Sequence, residues 1–228
     1  PMRKQQPDDL GLAYLLGTAL VRDKREEEGQ RVLEPIFRRG DSAEVRLLLG
    51  AAKLNASDFA GALEDLSKAV EMNPKLPAVH AYHGRALMAT GDTAGAARAF
   101  RKELALNPND FDSNLNLAVI LKQDQAWTEA SKYLDRALRV RPGELRARYQ
   151  QATISLAQGR LAEALKELES VVKEAPQFTE AHVSLATIYY RLKRKEDGDR
   201  ERAIVLKLNA DAQARQPRSA AEAERNTP

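Results

Sequence analysis

Four prolines, Pro74, Pro108, Pro142 and Pro176, stand 34 residues apart, and a register of that length confines the chain to a repeat architecture. Twelve residues before each lies an alanine (Ala62, Ala96, Ala130, Ala164), and twenty-four before lies Gly50, Gly84, Ala118 or Ala152. Residues this small at fixed positions mark where two helices cross closely. Short turns at Ser57-Asp58, Gly91-Asp92, Asp124-Gln125 and Gln158-Gly159 lie between them. Each unit therefore reads as a first helix, a turn, a second helix and a proline-marked turn into the next.

Composition agrees with a helix-leaning, water-compatible chain. Of 228 residues 43% are apolar, 30% charged and 5% aromatic, with 12 Gly, 10 Pro and no Cys, which excludes disordered, collagen-like and disulfide-stapled classes. Without cysteine there is no thiol catalysis, Cys-ligated zinc or iron–sulfur cluster, and both cytoplasm and periplasm stay open as locations. The 36 Lys and Arg against 33 Asp and Glu leave a surplus too small to make nucleic acid a favoured partner. No apolar run approaches the ~20 residues of a membrane span. Residues 1–9 lack an apolar signal core and read as a cloning scar or flexible N-terminus, from which a signal peptide or further domain is expected to have been removable.

The phrases Leu49-Gly50, Phe59-Ala60-Gly61-Ala62, Leu66, Ala69-Val70 and Asn73-Pro74 resemble the tetratricopeptide repeat, and they recur as His83-Gly84, Ala96, Phe100 and Asn107-Pro108, as Leu117-Ala118, Trp127, Ala130 and Arg141-Pro142, and as Ala152, Ala164, Leu168 and Ala175-Pro176. Units 43–76, 77–110, 111–144 and 145–178 carry the pattern well. Units 10–42 and 179–210 depart from it: Pro35 predicts a kink or early end in the first, and Gly198 replaces the usual Ala in the last. The resemblance implies an all-α fold, an α-solenoid of about six helix-turn-helix units forming a right-handed superhelix over 10–210. A helix extension through 211–215 and a polar tail to 228 are expected beyond it.

First helices line the concave surface in this family, so the stripe opposite the motif residues should face a ligand. It comprises Tyr14, Thr18, Arg22; Leu47, Leu54, Asn55; Arg85, Met88; Leu115, Asn116, Val119, Lys122; Arg146, Tyr149, Thr153; and Val183, Thr187, Tyr190, Arg191. Apolar anchors mixed with cations predict a non-enzymatic scaffold that binds a peptide or helix of a protein partner, the cations selecting an acidic or carboxylate-bearing one. The carboxylate clamp of some peptide-binding relatives is matched outright by Asn116 alone. The alternatives are an interaction domain cut from a larger enzyme or secretion machine, and a nucleic-acid adaptor using Arg136, Arg139, Arg141, Arg146 and Arg148 or Arg191, Lys193, Arg194 and Lys195. A surface of salt bridges is the simpler reading of those runs.

No phosphate loop, nucleophile elbow or His-Glu-x-x-His pattern is present, so no catalytic residue and no cofactor is expected. His80 and His182, 102 residues apart, occupy the same repeat position and should be packed core histidines, not metal ligands. Phe59, Phe100 and Trp127 read as core. Ile204, Val205, Leu206 and Leu208 place apolar surface on the last second helix, which predicts a cover from the chain's own 211–216 extension, from a second copy in a homodimer or from a partner at the C-terminal unit.

Overall fold

The 34-residue period becomes backbone geometry at the turns. A computed structural model describes residues 10–23, 25–38 and 40–215, and among these the regular structure is helical throughout. The helices are α1 (Leu10–Arg22), α2 (Glu26–Arg38), α3 (Ala43–Asn55), α4 (Phe59–Met72), α5 (Val79–Ala89), α6 (Thr93–Leu106), α7 (Phe111–Gln123), α8 (Trp127–Val140), α9 (Leu145–Ala157), α10 (Leu161–Glu174), α11 (Thr179–Arg191) and α12 (Lys195–Arg215).

After each first helix from α3 onward, one residue adopts a left-handed backbone: Ser57, Gly91, Gln125, Gly159 and Lys193, again 34 apart. The N–H groups then fold back in a Schellman pattern. Ser57 and Asp58 donate to Leu54 and Lys53 at 3.1 and 2.9 Å, and Lys193 and Arg194 donate to Tyr190 and Tyr189 at 3.0 and 2.9 Å. The second helices end in a different turn, with proline at its second position: Asp110 N–H donates to Asn107 and Phe178 N–H to Ala175. Three first-helix or second-helix starts are capped by aspartate, Asp58, Asp92 and Asp110, whose carboxylates accept from Gly61, Gly95 and Ser113.

The chain divides into two compact units, residues 1–126 and 127–228, and the division falls within the 111–144 repeat. In the first unit α1 pairs with α2, α3 with α4 and α5 with α6, and α7 packs on α6. The pairing is close because of glycine. A Cβ on Gly50 would lie 2.4 Å from Leu66, and one on Gly84 would lie 2.7 Å from Phe100. In the second unit α9 pairs with α10 and α11 with α12, around Leu168, Val171, Leu185 and Ile188.

Two sequence expectations change and one holds. Pro35 does not end α2, which continues three residues further to Arg38 although the proline removes one intrahelical bond. Phe59 is exposed, because it opens α4 at the rim of the helix pair, while Phe100 is fully buried as expected. The second helix of the last unit does run on, α12 ending at Arg215.

The left-handed residues supply a test. Gly91→Ala and Gly159→Ala should each cost about 1 kcal/mol, whereas Lys193→Gly should be neutral or stabilising, because a left-handed backbone costs an L-residue roughly 1–2 kcal/mol. Thermal melts followed by circular dichroism would check the opposite signs.

Candidate peptide-binding face

Within the first unit α1 packs on α3, α3 on α5 and α5 on α7, and within the second α9 packs on α11. First helices thus form a layer of their own in each unit, with one stripe turned away from the second helices. The structure distributes the expected stripe residues unevenly.

In the first unit Met88 and Asn55 are exposed, and Leu47, Arg85, Asn116, Val119 and Lys122 are half-buried. Arg85 lies 5.3 Å from the Tyr82 ring centre. Asn116 turns its amide to its own helix, donating to Asp112 O at 2.8 Å. Burial lowers the pKa of the Lys122 ammonium. Two leucines are corrected to core: Leu54 is 8% exposed, packed with Ala62, Leu66 and Ala86, and Leu115 is 3% exposed. The helical stripe is wider at its edges than the face open to a ligand. Tyr14 is drawn toward the cluster of Ala13, Ile36 and Val45, with Lys53 Nζ 5.8 Å from its ring centre. The side chains of Thr18 and Arg22 lie outside the described residues.

In the second unit Arg146, Val183, Tyr190 and Arg191 are exposed, Val183 by 49%. Thr153 and Thr187 are half-buried and return their hydroxyls to Gln150 O and Val183 O on their own helices. Tyr149 is spent partly on packing, tilted against Phe178 with ring centres 5.0 Å apart. Tyr190 covers Gly198 and donates its hydroxyl to Asp199 Oδ1 at 2.7 Å, so the glycine in place of alanine makes room for this ring. Arg191 Nη1 donates to Leu156 O at 3.4 Å, tying α11 to α9.

The opposite side of the first helices carries a second pattern that the sequence reading missed. At one position per repeat, His80, Asn114 and His182, a side chain bonds the carbonyl of the turn proline: Pro74 at 2.9 Å, Pro108 at 3.0 Å and Pro176 at 3.1 Å. Nineteen residues after this position a second helix offers a carboxylate in three repeats. Arg46 meets Asp65 at 2.6 Å, Arg148 meets Glu167 at 2.5 Å, and His182 meets Glu201 at 2.6 Å. The period of 34 at Asp65, Glu167 and Glu201 was the available signal. Arg148 therefore leaves the basic surface run, bonded also to Glu174 and Ser170. Glu103, 2% exposed, accepts from the Ala81 N–H at the uncapped start of α5, and burial raises its pKa. Among the described residues no group of three or more His, Asp and Glu is placed to hold a metal ion, and no helix is long and apolar enough to cross a membrane.

Repeated helix pairs with a proline turn, a small residue at each crossing and a separate first-helix layer define the tetratricopeptide-repeat class. The family model described as protein kinase G tetratricopeptide repeat matches residues 13–214, and the chain belongs to this family. Human DnaJ homolog subfamily C member 3 is 26% identical over 184 residues, 74% of this chain and 35% of that protein, so the chain spans about a third of such relatives. A TPR repeat-containing protein of Pseudomonas aeruginosa is 40% identical over 100 residues, 42% of this chain and 95% of that protein. Among solved structures, MamA from Desulfovibrio magneticus RS-1 aligns at TM-score 0.67 and 21% identity, covering 75% of this chain and 97% of that one. YrrB, titled a TPR protein with an unusual peptide-binding site, aligns at 0.64 and 19%, covering 78% and 92%. These structures share the fold.

Two substitutions test the paired positions. Asp65→Ala removes the carboxylate that Arg46 and Lys53 share, and because Arg46 keeps Asp41 it should cost about 1–3 kcal/mol in urea denaturation. Burial, then Lys102, lowers the pKa of His80, and burial, then His80 and Lys102, lowers that of His83. Below about pH 6.5 the unfolded chain takes up protons that the folded one does not, so stability falls as pH drops through that point. His80→Asn, which copies Asn114 and keeps a donor for Pro74, should flatten the fall in a series of melts between pH 7.5 and pH 5, a window set by the ordinary imidazole pKa of about 6.5.

Proposed function

We propose that this chain, whose tetratricopeptide-repeat fold is a scaffold for contact between proteins, binds a peptide or helical segment of a protein partner on its first-helix faces and carries no catalysis of its own. The observation that carries the reading is the combination of Met88 and Val183, exposed apolar side chains, with Arg85, Lys122 and Arg191 on the same stripes. Acids sit at the other end of α7 and α11, Asp112 and Glu180 in the first turns, where the helix dipole favours them. A bound segment with a carboxylate is best accommodated toward the C-terminal halves, against the cations.

Against catalysis stands the use of the carboxylates between the helices. Asp65, Glu103, Glu167 and Glu201 are each engaged in a cap or a pair that holds helices together. Because the chain spans about a third of relatives such as DnaJ homolog subfamily C member 3, service as the interaction part of a longer protein is compatible with the same reading. The exposed Ile204 and Leu206, the latter by 63%, favour a second contact, self-association through α12.

Peptides selected from a random library on the purified protein give the test. Arg85→Glu should weaken a peptide bound on the first unit, and Val183→Asp one bound on the second, each about tenfold or more by calorimetry, while melts move by no more than about 0.5 kcal/mol. Unchanged affinity in both variants removes the binding face from these stripes. For α12, sedimentation of the parent as a dimer and of Leu206→Glu as a monomer supports self-association, and monomers in both remove it.

A further inference from the structure

We propose that the first unit contains an oxyanion-binding pocket between α4, α5 and α6, built around His80, His83, Arg98 and Lys102, that takes a carboxylate or phosphate group. The pocket is a cavity of about 230 Å³ to which these four residues contribute, together with Ala99 and Asp92. It lies on the side of α5 opposite Arg85, so it is separate from the peptide-binding stripe.

The repeat itself shows what is missing there. Arg46, His80, Asn114, Arg148 and His182 share one position on the first helices, and the position nineteen residues later holds Asp65, Ala99, Tyr133, Glu167 and Glu201, so the acid is missing beside His80 and beside the uncharged Asn114. Three of these pairs close with a carboxylate on a cationic or imidazole group. In the third repeat alanine stands in the acid's place. The corresponding cavity of the second unit, lined by Arg148 and Glu167 among others, has its carboxylate built in on the guanidinium at 2.5 Å. Around Ala99 the chain has kept the donors and given up the acceptor.

The charge balance points the same way. Arg98 and Lys102 are exposed at the cavity edge, and neither forms an ion pair with a carboxylate among the described residues. The acid of the lining, Asp92, is already accepting the Gly95 N–H at 2.7 Å as the cap of α6. His80 bonds Pro74 O and His83 contacts Ser67 Oγ at 3.3 Å, so both rings are held in position at the cavity wall. Burial and Lys102 depress the basicity of these rings, a penalty that a bound anion would relieve. The shared chemistry is a small, doubly or singly charged oxygen anion, whether a phosphate or the carboxylate of a small acid.

The experiment is an imidazole titration by proton NMR, repeated in chloride, inorganic phosphate and succinate at matched ionic strength. Phosphate or succinate should raise the pKa values of His80 and His83 and leave His182, whose carboxylate is Glu201, as an internal control. The stronger of the two anions identifies the source. Ala99→Asp, which restores the acid found at 65, 167 and 201, should weaken the anion response about tenfold or more, as should Lys102→Glu at the exposed rim, which does not test the packing of α6. No response to either anion, an equal response at His182, or a response that persists in both variants overturns the proposal.

Discussion

How closely the two helices of a unit can approach governs what the remaining side chains are able to do. Gly17 faces Leu33, Gly50 faces Leu66 and Gly84 faces Phe100, each pair sixteen residues apart, and a Cβ on any of these glycines would enter the partner side chain at 2.4 to 2.7 Å. Such a crossing needs a connection that reverses within a few residues. The left-handed residue and Schellman bonds after α3, α5, α7, α9 and α11 provide it. The large residue of each crossing then fills the unit's interior: Leu66 and Phe100 are fully buried, so each pair of helices is closed by one contact of small against large.

With the crossing set, the two sides of a first helix diverge in role. One side ties the repeat together, through the proline carbonyl and the carboxylate of the second helix. Removal of either partner would leave a polar group enclosed, which is why Asp65 meets two cations and Arg148 two carboxylates. The other side is released from that duty and can vary. At one repeat position its residues change from Leu47 to Tyr149 to Val183 along the chain without disturbing the pairing, and that freedom is what an interaction surface requires. At Ala99 and at Tyr133 the second-helix acid of the tying side is replaced, and at Ala99 the side chains around it are cationic or imidazole.

The repeat was legible because its causes are local. Pro74 and its three counterparts, the small residues at the crossings and the polar turns all act within a few residues of where they stand, and each was read correctly from spacing alone. The stripe was legible only to within its edges. Leu54 and Leu115 lie at the correct helical angle, yet their burial depends on neighbouring helices, Leu54 in a cluster with Leu66 and Ala86. Tyr190 was placed on the face but is shared with Gly198 and Asp199, contacts that no single-helix projection contains. The early end expected at Pro35 did not follow, because the loss of one N–H leaves the next three residues free to keep helical dihedrals. The histidines were correctly read as packed, but their bond to the proline carbonyl needs the turn in three dimensions to be seen.

Photo-crosslinking to a selected peptide compares the two sides of the helix pairs directly. A photoreactive residue at Met88, exposed on the first helix α5, is set against one at Leu106, exposed at the end of the second helix α6. Adducts that form at position 88, disappear with excess unlabelled peptide and are missing at position 106 are the expected result. Adducts confined to position 106 would contradict binding on the first-helix face.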